Sequence, residues 1–191
     1  MEKVIRTPVV DDLLQELHAG DVVYISGIIV TARDEAHIHM LHSNDIPEEF
    51  RNGALYHAGP IVKREGDSYT VIALGPTTSA RMNSMEKEFI DKSGIRIIIG
   101  KGGMSNAVHE FMREMGVVYL AATGGAALVL SSAIKRVVKN YFPELGMAES
   151  IWVMDMERFG PLVVASDLHG GNLYKEQEEL VNANYRKMGY G

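Results

Sequence analysis

Strand signals crowd the first third of this chain and give way at Gly75 to a strand–helix alternation, and that change of rhythm limits the folds open to it. Before Gly75 the β-branched run DVVYISGIIV covers Asp21 to Val30, a strand follows Gly59-Pro60 near Ile61, and another covers Tyr69 to Leu74 beyond a turn at Gly66-Asp67. Leu13 to His18 reads as a short helical piece stopped at Gly20. After Gly75 the expected order is helix Ser79 to Lys92, strand Ile95 to Ile99, helix Asn106 to Met115, strand Val117 to Ala121 and helix Ala126 to Tyr141 with Pro143 beyond its end. Strands at Ile151 to Met156 and Leu162 to Ala165 and a helical tail from Lys175 complete it. A β-rich opening followed by α/β alternation predicts one α/β domain with a mixed sheet over residues 1–191. A chain of 191 residues is long enough to bury a sizeable core.

Charge and composition exclude several functions. The formal charge is −6 and no Lys/Arg run occurs, which argues against a nucleic-acid partner. The longest apolar-rich stretch, Val117 to Leu130, is interrupted by Thr123-Gly124-Gly125 and is too short to span a bilayer, and MEKVIRTPVV has no signal-peptide pattern, so a cytoplasmic protein is expected, with no membrane partner. There is no cysteine. The chain therefore has no disulfide, no thiolate nucleophile and none of the thiolates that usually hold an iron–sulfur cluster.

Polar residues concentrate at the turns that end strands. GPTTSARM follows the strand ending at Leu74: Thr77, Thr78 and Ser79 are candidates for the N-cap of the next helix, whose free N–H groups attract anions, and Arg81 adds a planar fork suited to a carboxylate or phosphate. TARDEAHIH, after the strand ending near Val30, brings Arg33, Asp34, Glu35, His37 and His39 together. Arg33 suits an anion and His37 a proton transfer. Taken alone it is also what a solvated polar loop looks like. The His-x-His pair has metal-ligand character, but no second group of ligands stands near it in sequence, so no metal is expected.

GKGGMS places Lys101 among glycines between a strand and a helix, but its spacing fits neither a P-loop nor the dinucleotide fingerprint. ATGGAA marks another strand-to-helix junction, and SDLHGGNLY, with Asp167, His169 and Asn172, reads first as a turn. Three of these loops carry a cation: Arg33, Arg81 and Lys101. In an acidic chain that pattern points to a small anionic ligand with more than one carboxylate, provided the three converge in space.

The ordered set GDVVYISGIIVTARDEAH, HAGP, GPTTSARM, GKGGM, ELGMAESIWV and FGPLVVASDLHGGNL resembles the β subunit of class I fumarate hydratases and L-tartrate dehydratases over nearly the full chain. The resemblance implies a swivelling β/β/α architecture and a hydro-lyase acting on a dicarboxylate, fumarate to (S)-malate in the first instance and tartrate to oxaloacetate in the second. It implies a cysteine-containing α subunit that supplies a 4Fe-4S cluster, and a β–β homodimer within an α2β2 assembly, with no cofactor bound by this chain. It casts Thr77 as catalytic base, His37 and Lys101 as catalytic partners, and Arg33, Arg81, Thr78, Gly75 and Asp34 as substrate-binding, Asp34 by orienting its neighbours. A standalone dicarboxylate-binding module is the alternative outside enzymology.

Overall fold

The computed structural model describes residues 3–10, 12–66 and 68–188. In chain order its elements are β1 (Lys3–Thr7), β2 (Val22–Thr31), α1 (Asp34–Ser43), β3 (Ala54–Tyr56), β4 (Ala58–Glu65), β5 (Ser68–Pro76), α2 (Glu86–Ser93), β6 (Ile97–Gly100), α3 (Asn106–Glu114), β7 (Val118–Ala121), α4 (Ala127–Ser131), β8 (Ile134–Tyr141), β9 (Ile151–Ser166) and α5 (Leu173–Lys187). Strands β2, β3, β6 and β7 pair in parallel in that order. The long strand β9 then runs antiparallel to both β7 and β2. Five strands therefore close a ring, with β1 and β8 added along the edges of β2 and β9. The result is the mixed α/β domain expected, with its mixed sheet.

Side chains alternate across the ring wall, as the two-residue period of a strand requires. Ala54, Tyr56, Ile97, Ile99, Val118 and Leu120 fall in one apolar cluster, joined by Leu74 of β5 and Leu130 of α4. Their neighbours Leu55, Ile98 and Tyr119 fall in the other, against Met40 of α1, Phe89 and Ile90 of α2, and Val108 and Met112 of α3. Runs such as Ile97-Ile98-Ile99, apolar on both faces, are what a strand buried on both sides needs. The β4–β5 hairpin forms a separate two-stranded sheet.

Several expected elements differ from those observed. Ala126 to Tyr141 is not one helix: α4 stops at Ser131 and β8 begins at Ile134. The pairing of β8 with β9 shifts register between Ile134 and Arg136 and again between Val137 and Lys139. These irregularities leave Ile134 and Val137 half-buried between exposed Lys135, Arg136 and Val138, a spacing of three that imitates a helical face. Ser79 to Lys92 splits into a 3-10 turn, Ser79–Met82, and helix α2. TARDEAHIH is not a loop, since Asp34 opens α1. The strands expected at Ile151 to Met156 and Leu162 to Ala165 are one 16-residue strand. Strands β1 and β3 had no separate signal. The turn at Gly66-Asp67 falls partly outside the described residues, at Asp67.

His109, on α3, is nearly fully buried, edge-on to Tyr119 at 5.4 Å between ring centres. Its Nε2 accepts the Met104 N–H at 3.1 Å, so the ring proton sits on Nδ1, which has no hydrogen-bond partner among the described residues. Burial pushes its pKa down to about 4. Below about pH 6.5 the unfolded chain takes up a proton that the folded chain refuses, so this group's contribution falls as pH drops and levels off near pH 4. The expected loss is about 3 kcal/mol in all, read from urea-denaturation midpoints across that window, and His109→Gln removes this component of the drop.

Candidate functional site

Because β2, β3, β6 and β7 are parallel and in register, their C-terminal ends reach one rim of the ring, with Thr31 opposite Tyr56, Tyr56 opposite Ile99 and Ile99 opposite Leu120. The residues that follow each strand are the polar turns of the sequence. Arg33 follows β2, His57 follows β3, Lys101 follows β6 and Thr123 to Gly125 follow β7. The hairpin leaves the rim at His57 and returns at Pro76, where the Thr77 N–H donates to the His57 carbonyl at 2.7 Å. Thr78 bridges to Lys101, and the Ser79 N–H donates to the Lys101 carbonyl at 3.0 Å.

The cations are anchored rather than loose. Arg33 Nη2 contacts Glu149 Oε1 at 3.1 Å, and Arg81 Nε donates to Asp34 Oδ1 at 2.8 Å. Among the described residues neither guanidinium makes a further side-chain hydrogen bond, so each keeps N–H groups for a ligand. Lys101 runs over the backbone of Gly124, where a Cβ would stand 3.3 Å from its Cδ. Arg33, Asp34, Thr77, Thr78, Arg81 and Lys101 are thus linked through short contacts along one rim. Gly75 pairs with Gly59 across the hairpin, and a Cβ on Gly59 would stand 3.0 Å from Arg33 Cδ.

One part of the expected arrangement is different. The Thr77–Ser79 segment does not cap a helix: Thr78 precedes only a 3-10 turn and its side chain makes no capping bond. The anion-attracting groups here are the side chains of the rim. His37 and His39, two residues apart, face different surroundings: His39 packs on Phe142 at 4.3 Å between ring centres, whereas His37 is completely buried.

Beneath the rim lies a buried polar cluster. His37 Nδ1 meets the Arg33 carbonyl at 2.8 Å, and His57 Nδ1 meets Ser79 Oγ at 2.9 Å. The Tyr119 hydroxyl donates to the same Ser79 Oγ at 2.8 Å. Both imidazole Nε2 atoms face Glu86 Oε2, at 3.8 Å from His37 and 3.4 Å from His57. Burial pushes the His37 pKa down against the pull of Glu86, so the ring is neutral near pH 7. For Glu86 burial alone would push the pKa up, but the facing His57 and His37 rings outweigh it and hold the carboxyl below its usual range. Burial raises the Tyr119 phenol well above its usual range, so it remains a donor. Gly100 has to be glycine, since a Cβ there would collide with Ser79 Oγ and lie 2.8 Å from the Tyr119 hydroxyl.

The family model described as Fumarase C-terminus matches residues 2–177. The chain belongs to the fumarase C-terminus family. Among its relatives is the "Putative L(+)-tartrate dehydratase subunit beta" of Methanocaldococcus jannaschii, 48% identical over 180 residues, which cover 92% of this chain and 91% of the relative. The L(+)-tartrate dehydratase subunit beta of Escherichia coli strain K12 is 38% identical, covering 94% and 90%. A "Putative fumarate hydratase class I" of Geobacillus stearothermophilus is 36% identical over 92% of this chain but only 34% of its own longer length. The recognition of this fumarase C-terminus domain from its ordered motifs therefore holds.

Sequence reasoning missed four groups of the site. His57 was inside the quoted HAGP motif but had no assigned role. Ser79 was read as a cap, Glu86 as part of an ordinary helix, and Glu149 stood inside ELGMAESIWV with no assigned role. Only Glu86 carried a usable signal, as an acid on the first turn of α2 facing inward beside Phe89 and Ile90. Ser79→Ala leaves His57 Nδ1 and the Tyr119 hydroxyl without their shared partner, and is expected to cost about 1–3 kcal/mol in denaturant unfolding, with Thr→Ala changes at exposed Thr123 as the near-neutral control.

Proposed function

We propose that this chain is the β subunit of an iron–sulfur hydro-lyase that interconverts fumarate and (S)-malate together with a cysteine-containing α subunit. The observation that carries this reading is the joining of Arg33, Thr77, Thr78, Arg81 and Lys101 along one rim of a fumarase C-terminus domain. A dicarboxylate has two anionic ends, and Arg33 and Arg81, each anchored by its own carboxylate, offer planar donors for them. Binding the carboxylate also acidifies the adjacent C–H, because negative charge that builds on the carboxylate during proton removal meets fixed positive charge. Thr77 takes that proton as the C–O bond on the neighbouring carbon breaks, and the hydroxyl leaves to give water overall, a departure that the partner's cluster would assist as a Lewis acid. A threonine hydroxyl is a weak base in water, and positive charge supplied by Lys101 and Arg81 is what makes the role feasible.

His37 acts through its neighbours: it holds the Arg33 carbonyl from below and touches no substrate atom. Asp34 orients Arg81, and Gly75 lets the hairpin pass close to α4, since a Cβ there would stand 3.2 Å from the Ala127 Cβ. With no cysteine, this chain offers no thiolate donors for the 4Fe-4S cluster, which belongs to the α subunit. The whole chain works as one domain, paired as a β–β dimer within α2β2 in the cytoplasm. Exposed apolar residues of α5, including Leu180, Val181 and Tyr185, provide surface for such assembly. Among the described residues no helix is long and apolar enough to cross a membrane.

Tartrate is the second substrate reading, favoured by the names of the full-length relatives in Methanocaldococcus and Escherichia. Anaerobic assay of the chain alone and with its cluster-loaded α subunit decides both points. Malate turnover appears only in the mixture, and a faster reaction with tartrate replaces the fumarate assignment. In the mixture Thr77→Val lowers kcat on the order of a hundredfold or more, and turnover within a few-fold of wild type removes Thr77 as base. Arg81→Met lowers kcat/KM by about a hundredfold, while Asp34→Asn, which only frees the guanidinium, lowers it by about tenfold, as steady-state kinetics will read.

A further inference from the structure

The cluster of His37, His57 and Glu86 has a feature that hydrogen bonding inside the protein does not explain. All three residues are fully buried, and both imidazole Nε2 atoms and both Glu86 oxygens lack a hydrogen-bond partner among the described residues. Native interiors rarely leave a polar atom unsatisfied, and four in one cluster is a costly arrangement. The tautomers sharpen the problem. The Arg33 carbonyl can only accept, so His37 Nδ1 carries the ring proton and Nε2 presents a lone pair to the carboxylate. Ser79 Oγ accepts from the Tyr119 hydroxyl and meets His57 Nδ1 either as acceptor or as donor of its own O–H, so His57 can take either tautomer. The His37 lone pair is repelled by the carboxylate it faces unless a positive species lies between them.

Distance distinguishes a proton from a metal ion. A charge-assisted N–H···O bond has a length of about 2.7–2.9 Å. The separations here are 3.4 and 3.8 Å, and one nitrogen or oxygen from each residue lies within 4.8 Å of the others. Donors on a tetrahedral ion with bonds of about 2.0–2.1 Å stand roughly 3.3–3.4 Å apart. A single Oε2 opposite two imidazoles also suits a shared ion better than a shared proton. A His whose second nitrogen donates to a backbone carbonyl is the usual form of a metal-ligating imidazole.

We propose that His37, His57 and Glu86 bind one divalent transition-metal ion of the zinc class as a structural centre under the rim. The ion ties three segments: the start of α1 that carries Arg33 and Asp34, the His57 residue whose carbonyl holds Thr77, and the start of α2 just beyond Arg81. It takes no part in the reaction, and the proposal stands whether or not the hydro-lyase reading does. It also differs from a site built on His37 and His39, which face different surroundings.

The test is a zinc titration of the purified full-length chain, first stripped by chelator, followed by metal analysis and thermal unfolding. About one equivalent of zinc retained through gel filtration, with a raised unfolding midpoint and an X-ray absorption shell of nitrogen and oxygen only, is the expected result. His57→Phe and Glu86→Gln lose that equivalent, whereas His39→Ala and His42→Ala, on the exposed face of α1, keep it. Wild-type chain that stays folded yet retains no zinc, or whose zinc disappears in His39→Ala or His42→Ala, overturns the proposal. The wild-type titration decides even where the buried variants fail to fold.

Discussion

Antiparallel pairing of β9 with β2, from Val22 opposite Val163 to Thr31 opposite Trp152, closes the ring on which the rest of the molecule depends. Without it the parallel strands β2, β3, β6 and β7 would form an open sheet whose backbone donors and acceptors at one edge had no partner. Strand β9 serves this role because it is long: Ile151 to Met156 lies between β2 and β8, and Val163 to Ser166 lies beside β7. Closure also fixes the direction of every strand in the wall. Four parallel strands in register must end at the same rim, and the chain places its polar turns there. Ligand sites at the carboxyl ends of parallel strands follow the same geometric logic.

The rim is stiffened in two layers. In the outer layer, carboxylates hold the guanidinium groups, Glu149 under Arg33 and Asp34 under Arg81, so the cations are oriented before any ligand arrives. In the inner layer, His57 grips the returning hairpin twice, through its carbonyl to Thr77 and through its ring to Ser79. Burying histidines and a glutamate at zero exposure breaks the ordinary rule that ionisable groups stay wet. Such local violations concentrate where a fold supports a site, and here they sit directly beneath the candidate substrate-binding residues.

Much of the wall was legible from periodicity. The runs Val22–Thr31, Ile97–Gly100 and Val118–Ala121 are apolar on both faces and flanked by turn residues, so their strand character is local. Strand β8 was not legible, because register shifts against β9 gave its half-buried residues a helical spacing. The start of α1 was hidden by its own polarity: Asp34, Glu35, His37 and His39 look like a loop until Ala36 and Met40 are seen to pack inward. Ser79 resembled a helix cap because hydroxyl residues favour caps, but its N–H was taken by the Lys101 carbonyl, a partner from a different strand end.

The sequence by itself determined the chemistry available to this protein. It supplied cations at strand-ending turns, a hydroxyl-rich segment at Thr77 and Thr78, and no cysteine, so this chain offers no thiolate to an iron–sulfur cluster. It could not determine which of these residues meet. Arg81 lies 47 residues from Asp34, and His57 lies 22 from Ser79, so their contacts depend on strand order, register and ring closure rather than on local preference. For the same reason only the tertiary structure separated His37 from His39 and turned it toward His57 and Glu86. Neighbours in sequence diverge by about 100° per residue around a helix, while segments far apart are brought together by the backbone pairing that closes the sheet.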